Sequence, residues 1–428
     1  MNYRKTAVFS VVALLLAACD KKEILPGKRE AISGVTENIG TGRSVVNPSA
    51  HIIPSPAESI LEYVDIAGNK RHCSVNYRMP TFSKILWKTS IGGWSVGSDP
   101  IAFDGKVYVV NSYGNLVCVS QNNGEKLWEL PIAPQTDDGD FSGGLTASGN
   151  TLYVSANTGD VIAVDTVSQK ELWRKSLKYP LRGTPLIVGN RLFVNSIENQ
   201  TFALDAVSGR IIWQKSTSAE NTIMAASGSP ALFGDDVICA YSSGDVKSLQ
   251  ASNGSGNWEE TLFSSHSSES GSAITHIAAS PVVFGENVLV ATSEAKMALF
   301  DVASGFRIWE TDIGTIHTPV INSSWIFVLS SNGSVICLSA NDGSTKWSVN
   351  ISDLKQEKFR DDTRWCDPLL INGDIVLFNN YGDVAKLDIS TGCVKSLEQM
   401  EEGFARMPII VNGRMFVVSD RADIYAVG

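Results

Sequence analysis

Short apolar or alternating runs, each bounded by Gly, Asn, Asp or Ser, fill the chain from about residue 84 to its end, and no run is long enough for a helix. The expected class is therefore all-β. In the unit that opens at Pro185, LIV is followed by a turn at Gly189 and Asn190. RLFVN then runs to a turn near Asn199, and TFALD and IIW end at Trp213. A small-residue run ahead of the proline, such as Gly228-Ser229 or Ala278-Ala279-Ser280, reads as a further inner strand, giving four strands per unit.

The units share a frame. Proline and tryptophan stand 28 residues apart at Pro100/Trp128, Pro185/Trp213, Pro230/Trp258, Pro281/Trp309 and Pro319/Trp347. Trp173 closes a unit that opens at Gly144 or Leu145, and Pro368 opens one whose equivalent position is Ser396. Gly114, Gly159, Gly244, Gly333 and Gly382 mark one hairpin, with Asn199 in the same place; Asn is the next most tolerant residue for a left-handed turn. Gly124, Gly209, Gly254, Gly305, Gly343 and Gly392 mark a second. A repeat of this length predicts a radial array of four-stranded blades.

Units beginning near 100, 145, 185, 230, 281, 319, 368 and 408 make an eight-bladed β-propeller, but the chain ends at Gly428 before the last tryptophan position. Trp87, in the run from Lys84 to Ser90, supplies it. An N-terminal strand thus closes the ring and removes the open sheet edges. Each frame tryptophan would bury roughly 150–250 Å², or about 4–6 kcal/mol before entropy. One such residue per blade at one offset is what a core repeat looks like, so these residues read as structural.

At the N-terminus, Arg4 and Lys5 precede an apolar run over residues 7–18, ended by Leu16-Ala17-Ala18-Cys19. The run is too short to span a bilayer and reads as a secretory signal whose end matches the bacterial lipobox. Cleavage before Cys19 with lipid on its sulfur is expected, the alternative being an ordinary signal peptide cut near Ala18. The expected organisation is a signal peptide over 1–18, a lipid-anchored and mostly flexible tether over 19–81, and the propeller over 82–428. Within the tether, residues 59–64 offer a short helix or strand that could pack on the ring. The membrane would be reached through the lipid alone.

With 45 acidic against 35 basic residues and no basic block, nucleic acid is an unsuitable partner. Of the seven cysteines, Cys118 and Cys337 fall inside third strands and read as buried; Cys73, Cys239, Cys366 and Cys393 stay open for pairing. Gly93-Trp94-Ser95-Val96-Gly97 matches the G-x-S-x-G of hydrolases, but it leads into a strand, where no nucleophile elbow forms. His51, His72, His266, His276 and His317 lack metal-ligand spacing. Residues 137–140 and 264–272 read as solvated loops. No catalytic residue, metal or cofactor is expected.

The run from Ala203 to Trp213, with Asp205, Ser208 and Gly209 inside it, resembles the tryptophan-docking repeat of quinoprotein propellers, and 163–173 and 299–309 are variants. The quinone-dependent dehydrogenases of that group carry an adjacent cysteine pair, which this chain lacks. Lipobox, length, blade count and strand closure resemble instead the BamB family of outer-membrane assembly lipoproteins. That resemblance implies a non-enzymatic scaffold that binds the periplasmic domains of a BamA-like insertase and unfolded outer-membrane proteins. Tyr179-Pro180-Leu181-Arg182-Gly183 resembles the family's Leu-Arg-Gly element, which implies Leu181 as an apolar anchor and Arg182 as a charged one; an ordinary inter-blade loop is the alternative. The family's acidic residues ahead of the next blade have no counterpart in Ala225-Ala226-Ser227-Gly228-Ser229. Asp20 resembles an inner-membrane retention signal of enteric bacteria, but sorting rules differ among bacteria and the outer membrane is the expected location. The second functional reading is a periplasmic dehydrogenase-like or small-ligand-binding propeller.

Overall fold

A computed structural model describes residues 51–65, 68–80, 84–133, 141–181, 183–217, 228–262, 276–351 and 362–428. Eight sheets, each a four-stranded antiparallel blade, follow one another around a ring. Blade 3 shows the unit: Leu186–Val188 innermost, then Arg191–Asn195, Gln200–Asp205 and Ile211–Ser216. The two middle strands are almost wholly buried and form the cores between blades, while outer strands such as Lys126–Pro131 alternate between half-buried and exposed. That is the burial expected of a strand with one face on the core.

Closure follows the expected route. Ile85–Ser90 pairs antiparallel with Asp423–Val427 as the outermost strand of blade 8, Trp87 standing opposite Ala426. The strand before each proline is a correction. In all blades but the second the inner strand follows the proline position, as in Ile101–Phe103, Ala231–Phe233 and Val282–Phe284. The small residues ahead of it line the central channel instead. In blade 2, which has Leu145 in place of proline, the strand does extend back over Gly143–Ser148. Glycine is needed there because a Cβ on Gly144 would lie 2.3 Å from the Thr184 backbone of blade 3.

The repeat signature has a direct mechanical meaning. Each docked tryptophan lays its ring over the glycine of the following blade and donates its indole N–H to a carbonyl in the same turn. Trp87 reaches Gln121 at 3.1 Å, Trp173 Ala206 at 3.0 Å, Trp213 Ala251 at 3.1 Å and Trp258 Val302 at 2.8 Å. Trp309 and Trp347 do the same to Ala340 and Ile389. The repeat's aspartate shapes that turn: Asp205 Oδ1 accepts from Ser208 N at 2.8 Å and Ser208 Oγ at 2.7 Å. Those bonds hold the Asp205 carboxyl below its ordinary range.

Ser396 now has an explanation. A tryptophan in blade 7 would dock on the third turn of blade 8, and blade 8 has no such turn because its fourth strand arrives from the N-terminus. The missing partner and the strand closure are one event. Blade 2 shows the converse, with Gln169 holding the left-handed turn conformation (φ 59°) where other blades have glycine. Trp128 of blade 1 packs against Tyr108, ring centroids 5.8 Å apart.

Residues 51–80, expected as part of a flexible tether, are packed on the ring, and this replaces the expectation for that stretch. Ile52, Tyr63, His72, Tyr77 and Met79 are buried. Asn76–Tyr77 adds a parallel fifth strand to Leu369–Ile371 of blade 7. Tyr63 exchanges two backbone hydrogen bonds with Ala102 of blade 1. Leu232 of blade 4, Val283 of blade 5 and Asn412 of blade 8 donate backbone N–H groups to Lys70, Arg71 and Ile60. The inner strand of every blade would otherwise present an unpaired edge to the axis, and this segment satisfies several of them in passing. Sequence reading anticipated packing only for 59–64; the rest has backbone partners, which leave no side-chain period.

Candidate interaction surface

In an antiparallel blade the first and third turns lie at one end of the ring, and the second turns and inter-blade connections at the other. The segment 51–80 covers the first end. Ile52 and Ser390 bond each other, Ser55 N donates to Asn322 Oδ1 at 2.7 Å, and Asn372 donates to the Met79 carbonyl. His72 seals the middle: its Nδ1–H donates to the Pro281 carbonyl at 2.9 Å, and burial holds its pKa down at about 4. Asp65 lies beside Thr146 Oγ1 at 2.9 Å, and burial raises its pKa.

Among the described residues the other end has no such cover. A cavity of ≈ 360 Å³ runs in along the axis, floored by Tyr63 and Asp65 and walled by the residues around each blade's opening position. Two aromatic side chains stand out on this end at blade 1: Trp94 is 57% exposed and Tyr113 40%. They are held side by side, since Trp94 N donates to Ser112 Oγ at 3.2 Å, next to Tyr113 in the turn. Ile316, from the connection into blade 6, is also exposed.

Leu181 is a correction. Its side chain is fully buried among Leu177, Val194 and Phe202, and it bridges Ser196 in blade 3, so it anchors the connection to its own ring rather than offering a free apolar contact. A leucine in a turn-rich segment reads as exposed only until the neighbouring blade is placed beside it. Arg182 and Cys19 lie outside the described residues, as do residues 137–140 and 264–272. Ser95 sits in a bend, and Val96 beside it forms an isolated bridge to Asn111 rather than opening a helix. The six described cysteines are all free; burial pushes Cys118 up to about 12 and Cys239 up to about 11, so these two behave as small apolar fillers. No helix among the described residues is long and apolar enough to cross a membrane.

The family model described as outer membrane protein assembly factor BamB matches residues 112–349. The chain belongs to the BamB family. A BamB of Salmonella typhimurium, described as an outer membrane protein assembly factor, is 25% identical over 355 residues, covering 80% of this chain and 88% of that one. The crystal structure of BamB from Moraxella catarrhalis superposes with a TM-score of 0.67 at 17% identity, over 80% of this chain and 98% of its own. A europium-containing methanol dehydrogenase reaches 0.63 at 12% identity, covering 86% and 89%. The ring is thus shared between a BamB protein and an enzyme, and function must be argued from its surfaces.

His317 Nδ1 contacts Asp367 at 2.9 Å inside the channel, and His72 is consumed by the seal at the covered end. Trp94 and Tyr113 are what sequence reading missed. A signal existed: Trp94 falls outside the 28-residue frame, so ring construction does not call for it.

Proposed function

We propose that this chain is a non-enzymatic scaffold for assembly of outer-membrane β-barrel proteins. It binds the periplasmic domains of a BamA-like insertase together with unfolded outer-membrane proteins, and is held to the periplasmic face of the outer membrane by lipid on Cys19. Membership of the BamB family carries this reading. The ring supports it physically, because rigid blades present turns and exposed aromatics at the open end while the covered end is used by the chain itself. The proposed boundaries remain 1–18 for the signal peptide and 82–428 for the ring, with the anchor segment between.

Arg182 keeps its proposed role toward the insertase on the family resemblance, and Leu181 acts by holding that connection in place. The quinone alternative fits the residues less well. Pyrroloquinoline quinone is a polycarboxylate, whereas the channel's described residues offer Asp65, Asp99 and Asp367 against the one guanidinium of Arg406. The deciding experiment is affinity purification from membranes solubilised in mild detergent. Co-purification of a BamA-like insertase is expected, and its absence would overturn the scaffold reading; an absorbance band on titration with the quinone and calcium would favour the alternative.

A further inference from the structure

The channel has a collar formed by the residues just ahead of each blade's opening position: Asp99, Gly143, Thr184, Ser229, Ser280, Thr318, Asp367 and Met407. Part of it is plain ring construction. Thr184 N donates to Ser229 Oγ at 2.8 Å, Ser229 N to Ser280 Oγ at 3.1 Å, and Thr318 N to Asp367 Oδ2 at 3.1 Å, so each oxygen serves the blade before it.

The sector made by blades 7, 8 and 1 departs from that pattern. Asp367, Arg406 and Asp99 follow one another around the wall, giving an alternation of negative, positive and negative charge. Arg406 forms no ion pair among the described residues, its one hydrogen bond being to the Val96 carbonyl at 3.3 Å. Asp99 lines the lumen within electrostatic reach of Arg406 and Asp367, with no hydrogen bond or ion pair among the described residues. Asp367 lines the same wall, its Oδ1 at His317 Nδ1 and its Oδ2 accepting from Thr318 N. Blade closure does not explain Arg406 and Asp99, since ring-building oxygens elsewhere in the collar are satisfied by their neighbours. Local departures from a repeat are where function is expected.

We propose that this sector binds a basic α-amino acid, its carboxylate on Arg406 and its two ammonium groups toward Asp99 and Asp367. A guanidinium matches a carboxylate in two parallel hydrogen bonds, and flanking carboxylates match the two cations of lysine or ornithine. The cavity lies at the small end of ligand pockets, which run from about 300 to 1,000 Å³, and has room for a molecule of this size.

Isothermal titration of the detergent-solubilised full chain with L-lysine, L-norleucine and cadaverine tests the assignment. L-lysine binds one to one, while norleucine, which lacks the side-chain ammonium, and cadaverine, which lacks the carboxylate, bind about tenfold more weakly or worse. Arg406→Gln removes the preference for lysine over cadaverine, and Asp99→Asn reduces the preference over norleucine. Arg406→Lys keeps part of the first preference, and all three variants retain the wild-type far-ultraviolet dichroism. Absence of lysine binding at millimolar concentration overturns the proposal, as does unchanged lysine affinity in both Arg406→Gln and Asp99→Asn.

Discussion

At the scale of the residue, the docked tryptophans and their glycines form one device. Burial of each indole contributes about 4–6 kcal/mol before entropy, against roughly 1 kcal/mol for its N–H bond, so contact with the glycine governs the dock. Gly254 has φ +71°, and a Cβ there would stand 2.8 Å from the Trp213 ring. Gly254→Val combines backbone strain with loss of the dock, and a loss of about 2–4 kcal/mol in chemical denaturation is expected. His72 gives a second prediction. Its folded pKa of about 4 lies below the ordinary 6.5, so the unfolded chain takes up a proton first as pH falls. Its contribution is complete above pH 6.5 and is lost between 6.5 and about 4, a total on the order of 3 kcal/mol. His72→Gln should flatten the thermal midpoint across that window relative to wild type; equal slopes would place the pH dependence elsewhere.

At the scale of the element, the repeat was legible and its exceptions were not. Proline, glycine and tryptophan mark each blade because docking and tight turns require those side chains, and Asn199 takes the left-handed conformation (φ 60°) expected of it. Segment 51–80 and the fate of Leu181 were hidden, since both depend on which backbone edge or blade lies alongside. The site is less legible than the fold: Trp94 was visible only as a tryptophan off the frame, and the Arg406 sector only after the collar was assembled. Two deletions separate the roles of the N-terminal elements. Removing residues 85–90 uncovers the Asp423–Val427 edge and should produce association on size-exclusion chromatography. Removing 51–80 should leave blade 8 closed but lower the thermal midpoint, because inner-strand N–H groups such as those of Leu232 and Val283 lose their acceptors.

At the scale of the whole molecule, one end of the ring is occupied by the chain's own segment, and among the described residues the other carries no such cover. Trp94→Ala combined with Tyr113→Ala should weaken insertase binding by about 2 kcal/mol or more while leaving the melting temperature within a degree or so, since both side chains are exposed. Retention of full binding would move the contact off blade 1. The closing strand also governs the order in which the molecule can be made. Ile85 pairs with Val427, so the first blade strand synthesised waits for the last, and the contacts that complete the ring are among the most distant in sequence. Such pairing is slow to form. Until the C-terminus is present, Trp87 has no blade 8 beneath it and inner edges at the axis lack their cover, so a nascent chain stalled before its last blade is a sticky, open arc. A truncated product therefore invites proteolysis, and completion of synthesis itself becomes the checkpoint for a soluble ring.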